Sequence, residues 1–98
     1  MKKMKRIIYL EPSLNEKQKT FGNKAIVEIE IDNETNEFKY TLYSYGTKIC
    51  SIKNNVITKY WDNYSKTTMK HINSFLEFCG LERQSKEWWL NLKTEKDN

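Results

Sequence analysis

The sequence is poor in the residue types from which enzyme sites are most often built. It has one histidine, two cysteines and three glycines among 98 residues. With glycine only at Gly22, Gly46 and Gly80, neither a Walker phosphate loop nor a dinucleotide-binding fingerprint can be written. One histidine and two distant cysteines also lack the spacing of a zinc site. We therefore predict a protein that is not an enzyme and that uses no cofactor or metal.

His71 is the candidate for a catalytic base, because a serine or cysteine hydrolase needs a nucleophile, a base and usually an orienting group. On a helix, Thr67 would lie one turn before His71 and Phe75 one turn after it, so these neighbours make no relay. Cys50 could approach the ring across the fold, with Asp62 as the orienting group, but no local signal arranges this. We interpret His71 as a structural histidine at a helix–sheet boundary, hydrogen-bonded through one ring nitrogen.

Long apolar runs are also missing. The basic N-terminus is followed by an apolar run of only four residues, Ile7–Leu10. A signal peptide needs about 7–15 such residues and a membrane-spanning helix about 20. Cys50 and Cys79 are far apart and form no Cys-x-x-Cys motif, which favours free thiols in a reducing compartment over a disulfide. These absences predict a cytoplasmic protein that has no membrane partner.

What the chain does contain is aromatic residues and charge. Phe, Trp and Tyr make up 13% of the residues, so a few large side chains can build a core. A chain of 98 residues has room for one domain; we assign residues 1–93 to it and expect residues 94–98 to form a frayed tail. Residues 1–24 carry a net charge of +5, residues 25–45 of −4, residues 46–72 of +4 and residues 73–98 of −1. This alternation predicts opposed charged faces.

The first two thirds of the chain have the two-residue period of β-strands. Ile7–Leu10 predicts a short strand, and residues 25–32 and 38–43 alternate apolar and polar residues across a turn-forming segment, which predicts a hairpin. Gly46 indicates a turn or bulge before a strand at 47–53. Asn54-Asn55 suits a two-residue turn with positive φ, followed by a strand at 56–61. The order predicts an antiparallel meander of four or five strands.

The period then changes to that of a helix. Ser65 is a suitable N-cap, and Gly80 suits the left-handed residue that ends a helix, which predicts a helix from Lys66 to about Cys79. Its apolar stripe should pack across one face of the sheet. Ser85 can cap a second, short helix, in which Trp88 and Trp89 cannot both face one core. The predicted class is therefore α+β, with one amphipathic helix on the sheet and a short C-terminal helix.

An acidic row and a basic, aromatic set are the candidate surfaces. Glu28, Glu30 and Asp32 share one face of a strand; they are either an ordinary solvated face, a site for a hard cation or an acid–base pair, or a phosphate mimic for a basic partner. Five aromatic residues interleave with three lysines and could stack bases or contact a protein, although about half of the rings should belong to the core. They are Tyr43, Tyr45, Tyr60, Trp61 and Tyr64, with Lys48, Lys53 and Lys59.

The start of the predicted long helix is a further candidate. Ser65, Thr67 and Thr68 place hydroxyl groups near unpaired backbone N–H groups, with Lys66 and Lys70 beside them. Such a helix start attracts anions, although capping alone also explains the hydroxyl groups.

Part of the chain resembles a small uncharacterised domain that recurs in phage and mobile-element proteins. The resemblance covers residues 43–80, in which SYGT is followed by a tryptophan, by YSKTTMKH and by a helix ending in Phe-Leu. The matching residues are Ser44, Tyr45, Gly46, Thr47, Trp61, Tyr64, Ser65, Thr67, Thr68, Lys70, His71, Phe75 and Leu76. The resemblance implies no known chemistry. By analogy with small phage-borne proteins it implies a stoichiometric inhibitor of a host defence protein or nucleoprotein, in the manner of anti-CRISPR proteins that block a Cas effector.

Taken together, the sequence predicts a non-catalytic binding protein, and a small nucleic-acid-binding accessory protein is the alternative. The predicted binding residues are Tyr43, Tyr45, Lys48, Lys59, Trp61, Ser65, Lys66, Thr67, Lys70 and His71. The expected partner is a host protein or nucleoprotein.

Overall fold

The computed structural model describes residues 3–95 and has the predicted α+β architecture. Five strands form one antiparallel sheet in the order of the chain, so the predicted meander is confirmed and has five strands. Two helices follow the last strand. The elements are β1 (Lys3–Tyr9), β2 (Ala25–Asp32), β3 (Glu37–Ser44), β4 (Thr47–Lys53), β5 (Val56–Lys59), α1 (Lys66–Phe78) and α2 (Lys86–Asn91).

Two tight turns connect the last three strands. Tyr45 and Gly46 have φ values of 52° and 80°, and Asn54 and Asn55 of 53° and 63°. Positive φ at both central residues is the property of the type I′ turn, whose twist matches that of the strands it joins. The prediction for Asn54-Asn55 is therefore confirmed. Gly46 lies in a turn, and the irregularity of the β3–β4 ladder lies farther on, where Leu42 faces Cys50 and Tyr43 faces Lys48.

Helix α1 begins and ends where its capping residues predict. The Ser65 hydroxyl accepts a hydrogen bond from the backbone N–H of Thr68 at 3.0 Å. Gly80 has a φ of 82°, and the N–H of Leu81 bonds to the carbonyl of Leu76 at 2.8 Å. This is the Schellman arrangement, in which a left-handed residue turns the chain back onto the last helical turn.

Both helices lie on the same face of the sheet. The core contains Val27 and Leu42 from the sheet, Ile72 and Phe75 from α1, and Trp89 from α2, each fully buried. Trp88 is only partly buried, so the two neighbouring tryptophans divide as predicted. The opposite face of the sheet is not covered by either helix, and we call it the open face.

The acidic row lies on the open face of an interior strand. Because direct partners in antiparallel strands point to the same side, Glu30 stands between Lys5 of β1 and Lys39 of β3, and Asp32 stands opposite Lys3. A lysine thus stands on each side of Glu30, whereas Asp32 stands between Lys3 and Glu37, and Glu28 between Ile7 and Thr41. Because lysines interrupt the acidic row, the placement disfavours the hypothesis that this row mimics phosphates.

The loop between β1 and β2 is fixed against α1 by polar contacts. The Ser13 hydroxyl donates to Glu77 at 2.6 Å, and Arg83 contacts Glu16 at 2.6 Å and Glu77 at 2.9 Å. Phe21, at the far end of this loop, is buried in the core. The loop therefore supplies part of the packing around α1 and brings its last residues to the tip of the β3–β4 hairpin.

At the C-terminus, Thr94 makes an isolated parallel bridge to Lys59, and the N–H of Glu95 bonds to the carbonyl of Lys59 at 2.7 Å. Residues 96–98 of the predicted tail lie outside the described residues. Within residues 3–95, neither helix is long and apolar enough to cross a membrane.

Candidate binding surface

Tyr45 occupies an unusual position at the tip of the β3–β4 hairpin. Its φ of 52° lies in the left-handed region, where glycine, asparagine and aspartate are favoured and bulky residues are strained. Its ring is 57% exposed. The centroid of the Tyr45 ring lies 5.7 Å from that of the His71 ring, and the backbone N–H of Tyr45 donates to the carbonyl of Lys24 at 2.8 Å. A large aromatic side chain is thus held partly in solvent by a strained backbone.

The imidazole of His71 packs against the Tyr45 ring. Its Nδ1 lies 2.7 Å from the hydroxyl of Ser44, which in turn lies 3.3 Å from the hydroxyl of Thr68. The ring of Phe21 packs edge-on against the imidazole at 4.4 Å between centroids. Only 1% of His71 is exposed. The structure therefore places His71 between helix and sheet, where it positions Tyr45 rather than contacting a partner.

Burial lowers the pKa of His71, an effect that the charge of Glu16 partly opposes. The unfolded chain then binds a proton more readily than the folded chain does. As the pH falls below about 6.5, the usual histidine pKa, protonation favours unfolding, and this contribution to stability is lost. Each tenfold difference in proton affinity corresponds to about 1.4 kcal/mol.

We expect the wild-type protein to lose more stability between pH 7.5 and pH 5 than His71→Asn does. Asparagine can keep the hydrogen bond to Ser44 but does not titrate. Urea denaturation of both proteins at several pH values measures this difference, and the carboxylates, which titrate in both, cancel. Parallel pH dependences of the free energy of unfolding would show that folding does not lower the pKa of His71.

The two cysteines are unpaired and lie on the core side of the molecule. Burial raises the pKa of the Cys50 thiol well above its ordinary value, and that of Cys79 to about 12. Both thiols are therefore protonated near neutral pH, and a protonated thiol is a poor nucleophile and a poor metal ligand. Among residues 3–95, no three His, Cys, Asp or Glu side chains are grouped so that they could hold a metal ion.

The start of α1 contacts the tip of the hairpin through Thr68 and His71 and also carries two lysines. Ser65 is engaged in capping, whereas Lys66, Thr67 and Lys70 are exposed in the first two turns. The first turn has no acidic residue, so its unpaired N–H groups and both ammonium groups attract anions. We call Lys24, Tyr45, Lys66, Thr67 and Lys70 the Tyr45 surface.

Lys59 does not belong to this surface, which corrects the prediction from the sequence. It stands opposite Cys50 on the core face of the sheet, and only 2% of it is exposed. Its ammonium donates to the carbonyls of Trp89 at 2.7 Å and Leu92 at 3.2 Å, and it lies 4.7 Å from the Trp89 ring. Lys59 therefore attaches the end of α2 to β5. Trp61 is partly buried against the core.

Tyr43 and Lys48 lie on the open face, as direct partners in β3 and β4. The ammonium of Lys48 lies 4.4 Å from the centroid of the Tyr60 ring, whose hydroxyl lies 3.0 Å from that of Ser51. The predicted residues thus divide into the Tyr45 surface and a second group, the open-face aromatics Tyr43, Lys48 and Tyr60. Both groups lie at the same end of the sheet.

Sequence reasoning missed Lys24 as a member of the Tyr45 surface and Ser44 as the partner of His71. The signal for both was available in the hairpin. Pairing of Ala25 with Ser44 places Lys24 next to Tyr45, and the alternation of β3 turns Ser44 to the same side as Leu42, toward α1.

A family model described as a family of unknown function, DUF8033, matches residues 8–91. No curated protein and no solved structure matches the chain.

Proposed function

We propose that this chain, which belongs to the DUF8033 family of unknown function, is a non-catalytic binding protein that docks a partner on its Tyr45 surface. The observation that carries the proposal is the exposed ring of Tyr45 at a left-handed backbone position. Backbone strain of this kind persists where the surrounding structure holds it, and it concentrates at functional sites.

The turn itself does not require tyrosine. A left-handed conformation costs a residue with a side chain about 1–2 kcal/mol, and Asn or Gly would form the same turn with less strain. The contact with His71 at 5.7 Å recovers part of this cost, yet more than half of the side chain stays in solvent. A partner that covers the ring would gain a large apolar contact from a side chain that is already positioned, and tyrosine is prominent among the residues that dominate binding.

The charges of the Tyr45 surface indicate which chemical groups a partner should present to it. Lys24 contacts Tyr45 through its backbone carbonyl, and Lys66 and Lys70 are exposed on the first two turns of α1, the helix that carries His71. The surface is therefore positive, which favours association with a partner that presents carboxylates or phosphates around an apolar contact.

We propose that this partner is a host protein or nucleoprotein and that the chain inhibits it by stoichiometric docking in the host cytoplasm. This part of the proposal is supported by the resemblance of residues 43–80 to a domain of phage and mobile-element proteins. That segment includes Tyr45 and the start of α1. An anti-CRISPR-type inhibitor of a Cas effector is the specific form of this role.

The test is affinity capture from a host lysate with the full chain as bait, with and without nuclease treatment. A protein retained in roughly equal amounts after nuclease supports docking on protein. Loss of every captured partner after nuclease would contradict it and would favour nucleic acid as the ligand.

The open-face aromatics favour binding of single-stranded nucleic acid as a second candidate function. Tyr43 and Tyr60 offer rings for base stacking, and Lys48 offers a cation beside them. If this function is correct, a labelled single-stranded oligonucleotide should bind at micromolar concentration or tighter in about 50 mM salt. The logarithm of the affinity should fall linearly with the logarithm of the salt concentration, and Lys48→Gln should reduce that slope by about 0.7. Binding that does not respond to salt would exclude this candidate.

A further inference from the structure

The outer edge of the sheet at β1 is available for pairing. Strand β1 is the first in the sheet order and pairs only with β2, and no other residue between 3 and 95 pairs with its outer side. Ile7 and Tyr9 are 64% and 58% exposed, and Met4 is 45% exposed. An exposed edge of this length is a template for a further strand.

The backbone groups that a further strand would use can be assigned. The N–H of Leu10 donates to the carbonyl of Ala25 at 2.8 Å, which continues the register in which Ile8 faces Val27. In an antiparallel ladder the hydrogen-bonding direction alternates along the strand. The N–H and C=O groups of Lys5 and Ile7 therefore point away from β2 and lie along the free edge.

The charges on β1 select the kind of strand that can add. Lys3, Lys5 and Arg6 are basic, and β1 contains no acidic residue. On the inner side of β1, the partner residues in β2 are acidic on the open face and apolar on the helix face. Glu30, for example, stands opposite Lys5. An outer strand with the same pattern would make the same cross-strand pairs, whereas a basic strand would be repelled.

The helix side of the edge has room for an apolar side chain. A groove of about 380 Å³ lies between β1 and α1 and is lined in part by Ile8, Leu10, Ser74 and Phe78. Phe78 is 46% exposed there. A strand added to β1 would direct every second side chain toward this groove.

We infer that the outer edge of β1 binds an extended acidic segment of a partner protein as a sixth strand, with its carboxylates on the open face and its apolar side chains toward the groove. This mode is β-augmentation, in which main-chain hydrogen bonds supply affinity and alternate side chains supply specificity. It uses a different part of the molecule from the Tyr45 surface and does not depend on it.

The probe is a capped, fluorescently labelled peptide with the sequence of residues 25–32, AIVEIEID, because this strand already matches β1 in pattern and charge. The control peptide, AIVKIKIK, replaces its acidic residues with lysine. Anisotropy in low salt should show saturable binding of the acidic peptide that is at least about tenfold tighter than that of the control. Equal binding of the two peptides, or no binding of either, overturns the inference.

Two variants of Ile7 isolate the backbone contact. Ile7→Thr removes the isoleucine but keeps the N–H, and it should bind the acidic peptide. Ile7→Pro removes the N–H that points away from β2, which is the side on which an edge strand tolerates proline, and it should lose at least about tenfold in affinity. Retention of full affinity by Ile7→Pro contradicts the inference.

Amide hydrogen exchange of the wild-type chain decides the result if Ile7→Pro fails to fold. The acidic peptide should slow exchange at Lys5 and Ile7, whose amides are otherwise unpaired at the edge. Slowed exchange confined to other parts of the molecule would show that the peptide binds elsewhere, and it would overturn the inference.

Discussion

Replacing Trp89 with alanine is expected to lower the free energy of unfolding by about 3–5 kcal/mol, the range for removal of a large buried aromatic side chain. Trp89 has no exposed surface and is the buried residue of α2. Its Nε1 donates to the carbonyl of Asn63 at 2.8 Å, and Lys59 lies against its ring. The substitution therefore removes the packing of α2 and exposes a cation that the ring covers.

The neighbouring tryptophan provides the matched control. Trp88 is only partly buried, so Trp88→Ala should cost clearly less, about 1 kcal/mol, which is the centre of the range for single substitutions. Trp89→Phe keeps a ring against Lys59 but loses the hydrogen bond to Asn63, and it should have an intermediate cost. Urea denaturation followed by circular dichroism measures all three. Equal losses for the two alanine variants would contradict the assignment of Trp89 as the anchor of α2.

Tyr45→Asn is expected to weaken capture of the partner at least about tenfold, while the free energy of unfolding stays the same or rises by up to about 1 kcal/mol. Asparagine adopts positive φ more readily than tyrosine does, so the turn improves. The loss of the ring contact with His71 offsets part of that gain. A substitution that stabilises the fold and abolishes binding separates the two roles of the residue.

Tyr45→Phe is the control for the hydroxyl group, because it keeps the ring and the strained turn. It should capture the partner nearly as well as the wild-type chain if the ring is the main contact. Undiminished capture by Tyr45→Asn would remove Tyr45 from the binding surface. A large loss of stability in Tyr45→Asn would instead show that the ring is retained for packing.

The features that the sequence predicted well are those encoded by a few adjacent residues. Ser65 and Gly80 define the ends of α1 through capping bonds that involve the next few backbone groups. Asn54-Asn55 forms its turn because asparagine tolerates positive φ. Alternation in β2 and β3 identifies the hairpin without reference to the rest of the chain. The fold class follows from these local signals.

The position of Lys59 could not be predicted in this way. Lysine is rarely buried, and the face of the sheet on which Lys59 lies depends on the register between β4 and β5. The β3–β4 register shifts at Ile49, and the carbonyl of Ile49 also accepts the N–H of Tyr60 and of Trp61 just after β5. The burial of Lys59 also requires carbonyls from α2, which lies about thirty residues farther along the chain. Nothing near Lys59 in the sequence reports these contacts.

The first strand was predicted too short for a related reason. Ile7–Leu10 is apolar, but β1 begins at Lys3 because Met4 and Arg6 pair with Ile31 and Ile29 of the neighbouring strand. Exposed polar residues do not show the alternation by which a strand is recognised. Partnership with β2, rather than local preference, holds this part of the strand in the sheet.

The two borders of the sheet are not equivalent. On the β5 side, the strand has only four residues, and the carbonyl of its last residue, Lys59, is occupied by Glu95. A strand added at β5 would find a short partner whose last carbonyl is already bonded, whereas β1 offers seven residues. The β1 border is therefore the better template for strand addition, and backbone-mediated association of this molecule should be directional.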